Sequence, residues 1–238
     1  MIKMLVFWGL VMIQNLIRRC FLLTALLGLS ATSNGAVIYS DRVLFENELV
    51  TQLTDDFENS AYTTNLTDAG MSAVFGETSY QSTGFNNLNM VTQSGDQYYC
   101  SGCNGSFLLD FTGSRLVTGN GVYGVGFDFL TERPIFGNSS EFFHAWVTFG
   151  DGSTQDYALP ETSGFDFQFF GITSLLKIES IHFGLANGGA TTDQSLYFGL
   201  DDLTLGSDIA ISLPEPSTWT LFAGGLLFVA YRKSRRLR

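Results

Sequence analysis

The chain has 238 residues, is 45% hydrophobic, 14% aromatic and only 15% charged, and carries a formal net charge of −11. That balance excludes a disordered acidic polymer, which pairs low hydrophobicity with high charge; 22 Phe, 9 Tyr and 26 Gly against 4 Pro suit short strands and tight turns. The charge is segregated, since residues 37–213 hold 4 basic and 22 acidic side chains, near −18, which argues against a nucleic-acid partner and favours cations.

At the N-terminus, Arg18 and Arg19 precede the apolar run Cys20 to Leu29, and small residues follow from Ser30 to Ala36. This order of basic, apolar and small residues is that of a secretory signal, so residues 1–36 are expected to be removed, after Ser33 or after Ala36. An earlier apolar run, Met4 to Ile13, is too short to span a bilayer, which needs about 20 residues, and Met12 is an alternative start.

Residues 37–213 read as one domain, with only Pro134 and Pro160 inside and no linker-like stretch. Ser40 to Val50 has a cap-like Ser or Asp followed by apolar residues at helical spacing, which predicts one short helix. Thereafter the period is two. Tyr123, Val125, Phe127 and Phe129 share a face, as do Phe143, Ala145, Val147 and Phe149, and Ile181, Phe183 and Leu185, the pattern of half-buried strands. Gly150-Asp151-Gly152 between two such runs predicts a hairpin turn. In the last strand Phe198 and Leu200 follow one phase and Leu203 and Leu205 the other, so a bulge is expected at Asp201-Asp202. The expected class is all-β, a two-sheet sandwich with one short N-terminal helix.

The C-terminus carries Leu213-Pro214-Glu215-Pro216, then the apolar run Thr220 to Tyr231, then Arg232, Lys233, Arg235, Arg236 and Arg238. In content, order and spacing residues 214–238 resemble the PEP-CTERM sorting signal. Two prolines around Glu215 disfavour helix and keep an extended peptide outside the membrane, while the basic end holds the tail on the cytoplasmic side. The apolar run is short for a permanent span, and a simple tail anchor is the alternative. The resemblance implies a Gram-negative bacterium, passage through the export machinery, a transient stay in the inner membrane, recognition by an exosortase near Pro214 to Pro216, and delivery to the cell surface or exopolysaccharide matrix of a biofilm. It says nothing about the chemistry of the domain. The domain itself resembles the jelly-roll modules found ahead of such tails, in a short opening helix, an Asp56-Phe57-Glu58 strand and a closing strand through Leu200 to Leu205.

Asp55, Asp56 and Glu58 near the first strand and Asp201 and Asp202 near the last are hard oxygen donors of the kind that suits calcium. Resemblance to jelly-roll modules favours Glu58 and Asp202 as side-chain ligands of a structural ion. Cys100 and Cys103 are the only cysteines outside the signal; without a second ligand pair they read as a small disulfide in an oxidising compartment. Trp146, Tyr98, Tyr99 and Tyr157 are the candidate platforms for stacking on sugar rings. His144 and His182 fall on the phase opposite the core, and neither belongs to a recognisable triad. The expected function is a non-catalytic, structural or adhesive surface protein, with an exopolysaccharide-binding module and a secreted hydrolase as the alternatives.

Overall fold

The computed structural model describes residues 35–92, 95–132, 143–162 and 166–209. All of the expected signal but Gly35 and Ala36 lies outside the described residues, and so does the sorting tail with Pro214, Glu215, Pro216 and the basic residues Arg232, Lys233, Arg235, Arg236 and Arg238. In chain order the elements are β1 (Val37–Tyr39), α1 (Arg42–Asn47), β2 (Gln52–Asp55), α2 (Asp68–Phe75), β3 (Ser79–Ser82), β4 (Met90–Val91), β5 (Tyr99–Cys100), β6 (Phe107–Asp110), β7 (Val122–Glu132), β8 (His144–Phe149), β9 (Thr154–Ala158), β10 (Gln168–Gly184) and β11 (Tyr197–Gly206). The all-β expectation holds: the strands form one large curled antiparallel sheet.

The curl is organised by β10. Its first half lies between β1 and β7, and its second half between β6 and β8. The change of neighbours falls where Lys177 has a φ of 60° and the register with β8 shifts between Ile178 and Ser180. Gly121 and Gly150 let the backbone close in there, since a Cβ on either would stand 2.5 Å from the carbonyl oxygen of Ile178 or Leu176. One half of the sheet is therefore β1-β10-β7-β11 with β2 and β5-β4 beyond it, and the other is β3-β6-β10-β8-β9.

The two halves meet through aromatic rings. Phe183 on β10 lies 4.9 Å from Phe198 on β11 and 5.2 Å from Phe127 on β7, and Phe107 on β6 lies 5.4 Å from Phe198. The period-two faces read from the sequence point here: Val125, Phe127 and Phe129, Phe143 to Phe149 at alternate positions, and Ile181 with Phe183 are all buried. At roughly 1.5–3 kcal/mol for each fully buried large apolar side chain, this alternation is what fixes the register.

The short helix forms as expected. Asp41 Oδ1 accepts the Leu44 N–H at 2.9 Å, and Phe45 is fully buried against the outer face of the sheet. What receives Phe45 and Leu49 is a bed of glycines on three neighbouring strands: Gly171 on β10 with Gly126 and Gly124 on β7 lie beneath Phe45, and Gly206 on β11, again with Gly124, lies beneath Leu49. A Cβ on Gly126 would lie 2.5 Å from the Phe45 ring, and one on Gly206 would lie 2.4 Å from Leu49. A second helix, α2, was not expected. Its Thr67 cap, whose hydroxyl accepts the Gly70 N–H, and its left-handed terminator Gly76 are ordinary helix signals. It shields the edge of β3, where Ser72 Oγ and Asp68 Oδ1 accept the Tyr80 and Ser82 N–H groups.

One strand expectation is corrected. β2 ends at Asp55, and Asp56-Phe57-Glu58 is a turn in which Phe57 has a φ of 55°. The carboxylates of Asp55 and Asp56 accept the Phe57 and Glu58 N–H groups, which competes with strand pairing and turns the Phe57 ring into the core.

Candidate functional site

The outer face of the β3-β6-β10-β8-β9 half carries a distinctive surface. Register alignment places Asp156, Trp146, His182, Leu108 and Gln81 in a single row across β9, β8, β10, β6 and β3. All five are exposed or half-buried, because each sits one residue out of phase with the buried set. His144, one row along, places Nδ1 3.1 Å from Asp156 Oδ2, and His182 Nε2 lies 3.0 Å from the Thr83 hydroxyl. Burial holds the His182 imidazole below its usual pKa, so it is neutral at pH 7. The Trp146 indole N–H donates to the Leu185 carbonyl at 2.9 Å, which fixes the ring in the face. A rigid aromatic ring among hydroxyl, amide, imidazole and carboxylate groups offers an apolar contact beside several hydrogen-bonding positions.

The four candidate aromatics do not form one platform. Tyr99 is fully buried, with its hydroxyl donating to Asn89 Oδ1 at 2.7 Å and its ring against Phe107, so its stacking role is corrected to a core role. Tyr157 pairs with inward-facing Ala145 and packs on Phe170, so it too faces the interior. Tyr98 is half-buried on the other half of the sheet, beside Phe167 and hydrogen-bonded to the Tyr197 hydroxyl. Only Trp146 belongs to the outer row, as its sequence phase indicated.

The carboxylates gather at the expected bulge. β11 leaves register with β7 between Asp201 and Thr204, with Asp202 at a φ of 47°, and β2 brings Asp55 opposite Leu203. Asp201 stands directly opposite Asp128 on β7, a like-charge pair that sequence reading missed although Asp128 occupies the outward phase between Phe127 and Phe129. Burial first, and then the negative charges of Asp202, Asp128 and Glu58, push Asp201 up to about 7, against the opposing hydrogen bond from the Asp202 N–H. The nearby cation is Arg42 of α1, whose guanidinium meets Asp128 at 3.2 Å, the Asp202 carbonyl at 3.2 Å and the Thr204 hydroxyl at 3.0 Å. Asp56 is engaged with the Glu58 N–H, and Glu58 Oε1 accepts the Gln97 N–H at 2.7 Å. Among the described residues, no three His, Cys, Asp or Glu side chains converge closely enough to hold a metal ion.

Buried Asp55 is a separate matter. The Tyr62 and Tyr80 hydroxyls donate to its Oδ2, and burial raises its pKa despite those bonds. With the surrounding rings of Phe57 and Tyr99 this is a polar anchor inside an aromatic cluster. Cys100 and Cys103 form the expected disulfide. Among the described residues no helix is long and apolar enough to cross a membrane. No protein-family model matches the chain, and no curated protein matches it.

Proposed function

We propose that this is an exported, non-catalytic protein of the bacterial cell surface or biofilm matrix, sorted by an exosortase, with a structural or adhesive role. The observation that carries the reading is the tail, in which Pro214-Glu215-Pro216, the apolar run and the five basic residues follow in order. The disulfide supports it, because such bonds persist in oxidising compartments. In this reading the domain is a jelly-roll-like β-sandwich whose layers are the two halves joined through β10. Replacing Pro214, Glu215 and Pro216 together by Ala is expected to hold the protein in the inner membrane. Fractionation of the producing cells that still finds it at the surface or in the matrix overturns the proposal.

The row around Trp146 favours a second reading, a carbohydrate-binding module for exopolysaccharide. Trp146→Ala is then expected to weaken depletion of the protein by the purified polysaccharide about fivefold or more, since stacking on one ring is worth roughly 1–3 kcal/mol in comparable aromatic contacts. Unchanged depletion removes Trp146 from consideration and returns weight to a passive structural role. The hydrolase alternative predicts turnover of polysaccharide or ester substrates that a single carboxylate or histidine change abolishes.

Calcium is proposed as a structural ion of the Asp56, Glu58, Asp201 and Asp202 neighbourhood, where a divalent charge offsets the repulsion around Asp201. An ion bound only by the folded state must raise stability, so the melting temperature is expected to be higher in excess calcium than in chelator. Equal melting temperatures sink the idea.

A further inference from the structure

We infer that the outer face of the β3-β6-β10-β8-β9 half takes a polysaccharide of amino sugars whose free amines carry positive charge. This deepens, and rests on, the carbohydrate-binding reading of the Trp146 row. Strand register makes the face one surface. Two residues along from the row that runs from Asp156 to Gln81, the residues Thr154, Thr148, Ser180, Asp110 and Ser79 pair in turn across the same five strands. They keep the outward phase, and none of them is buried. With strands about 4.8 Å apart and two residues spanning about 7 Å, the two rows make a strip roughly 19 Å by 7 Å. That shape suits an extended chain of several rings better than a single sugar. On the other side of Trp146 the face is walled: the Leu185–Gly189 turn folds back over Gly184, where an added Cβ would lie 2.7 Å from the Gly189 carbonyl oxygen. The same turn reaches the indole, 3.7 Å from a Cβ on Gly188, and holds its N–H through the Leu185 carbonyl.

The charges on the strip set the ligand. Its two carboxylates, Asp156 and Asp110, stand three strands and one row apart, about 16 Å from each other. Asp156 Oδ2 is held by His144 Nδ1, and Asp110 Oδ1 accepts the Thr112 N–H at 2.8 Å. Each carboxylate is thus oriented, with its second oxygen unengaged among the described residues. No lysine or arginine belongs to either row, although lysine is a common guard of edge strands such as β3 and β9. The basic side chains among the described residues are engaged elsewhere, Arg42 with Asp128, Arg115 with Glu77 and Lys177 with the Thr118 carbonyl. Nothing on the strip would neutralise a uronate or a sulfate, and residues 37–213, near −18, repel such anions. An ammonium group meets the opposite case: the field attracts it, and an oriented carboxylate accepts its N–H. A basic peptide would also satisfy the charge, but a line of hydroxyls beside a fixed indole matches hydroxylated rings with apolar faces.

The test is equilibrium binding of the full-length chain, in detergent micelles, to size-matched probes: a glucosamine oligomer with free amines, its N-acetylated counterpart, an oligouronate and oligolysine. The glucosamine oligomer is expected to bind about tenfold more tightly than the N-acetylated one and to lose that margin in high salt. Asp156→Asn and Asp110→Asn are each expected to weaken its binding about threefold, and together to abolish the preference, since sites this far apart act additively. Both variants are expected to bind the N-acetylated oligomer as the parent does, because asparagine keeps an oxygen for the neighbouring donors and leaves the fold intact. Equal binding of the two glucosamine oligomers by the parent, or tighter binding of the oligouronate, overturns this inference and leaves the carbohydrate-binding reading standing. Oligolysine that binds as tightly as the glucosamine oligomer also overturns it, because the strip then reads charge alone. Depletion by the producing organism's exopolysaccharide without binding of either glucosamine oligomer overturns the inference alone, and the absence of both overturns the two together.

Discussion

Gly126→Val is expected to destabilise the domain by about 3 kcal/mol, the upper end for overpacking a well-filled core, even though valine is a better strand former than glycine. Gly126 is buried at the centre of the sheet, paired with Gly171 on one side and Thr204 on the other. Its missing side chain is the space that Phe45 occupies: an added Cβ meets the Phe45 ring at 2.5 Å and Phe169 at 2.9 Å. Either the helix lifts, exposing a fully buried phenyl ring, or the sheet bends away from its facing layer. Lifting the helix also pulls Arg42 from Asp128 and leaves the carboxylates at the bulge without their cation. Denaturant unfolding of Gly126→Val, Phe45→Ala and the double variant checks the explanation. The double variant is expected to be much less destabilised than the sum of the singles, because removing the ring makes room for the valine. Strict additivity would show that the two residues do not share one space.

The second large effect is a gain. Asp201→Asn is expected to stabilise the protein at neutral and alkaline pH and to leave it nearly unchanged near pH 4. Between the ordinary carboxylate value of 3.8 and the raised value of about 7, the folded state holds a proton at Asp201 that the unfolded chain has released. Folding therefore takes up a proton in that window, and stability falls as pH rises through it. Above the window the ionised carboxylate imposes a constant cost, about 1–2 kcal/mol after discounting for the solvent that reaches this half-buried group. Asparagine removes the charge and keeps an oxygen to accept the Asp202 N–H, now 2.8 Å from Asp201 Oδ1. Melting curves in chelator from pH 4 to pH 8 check the sign. A substitution that destabilises at pH 8 would show that the carboxylate has a favourable partner.

Local pattern carried much of the fold. The alternation from Val125 to Phe129 and from Phe143 to Phe149, the Gly-Asp-Gly turn, the capped helix and the phase slip at Asp201-Asp202 all depend on residues adjacent in sequence, and all are present. What was lost depended on pairing at a distance. Trp146 could be placed on an outward phase, but its neighbour His182, and Leu108 and Gln81 further along the row, come from strands whose register no local feature specifies. The glycines at 124, 126, 171 and 206 read individually as turn residues and acquire meaning only when three strands align them beneath Phe45 and Leu49. Tyr98 and Tyr99 look equivalent in sequence, yet Tyr99 opens β5 with its ring in the core while Tyr98, just before the strand, is half-buried at the surface.

The long ladder between β11 and β7 has a mechanical meaning. It runs from the Tyr197–Glu132 pair to the Gly206–Gly124 pair, and the chain leaves for the tail just past its end. A pull on the tail acts along β11, so the hydrogen bonds on both sides of the bulge carry the load together instead of opening one after another. A protein fixed by its C-terminus in a flowing matrix would thus hold by shear, and single-molecule stretching from residue 209 should give a high, single unfolding peak.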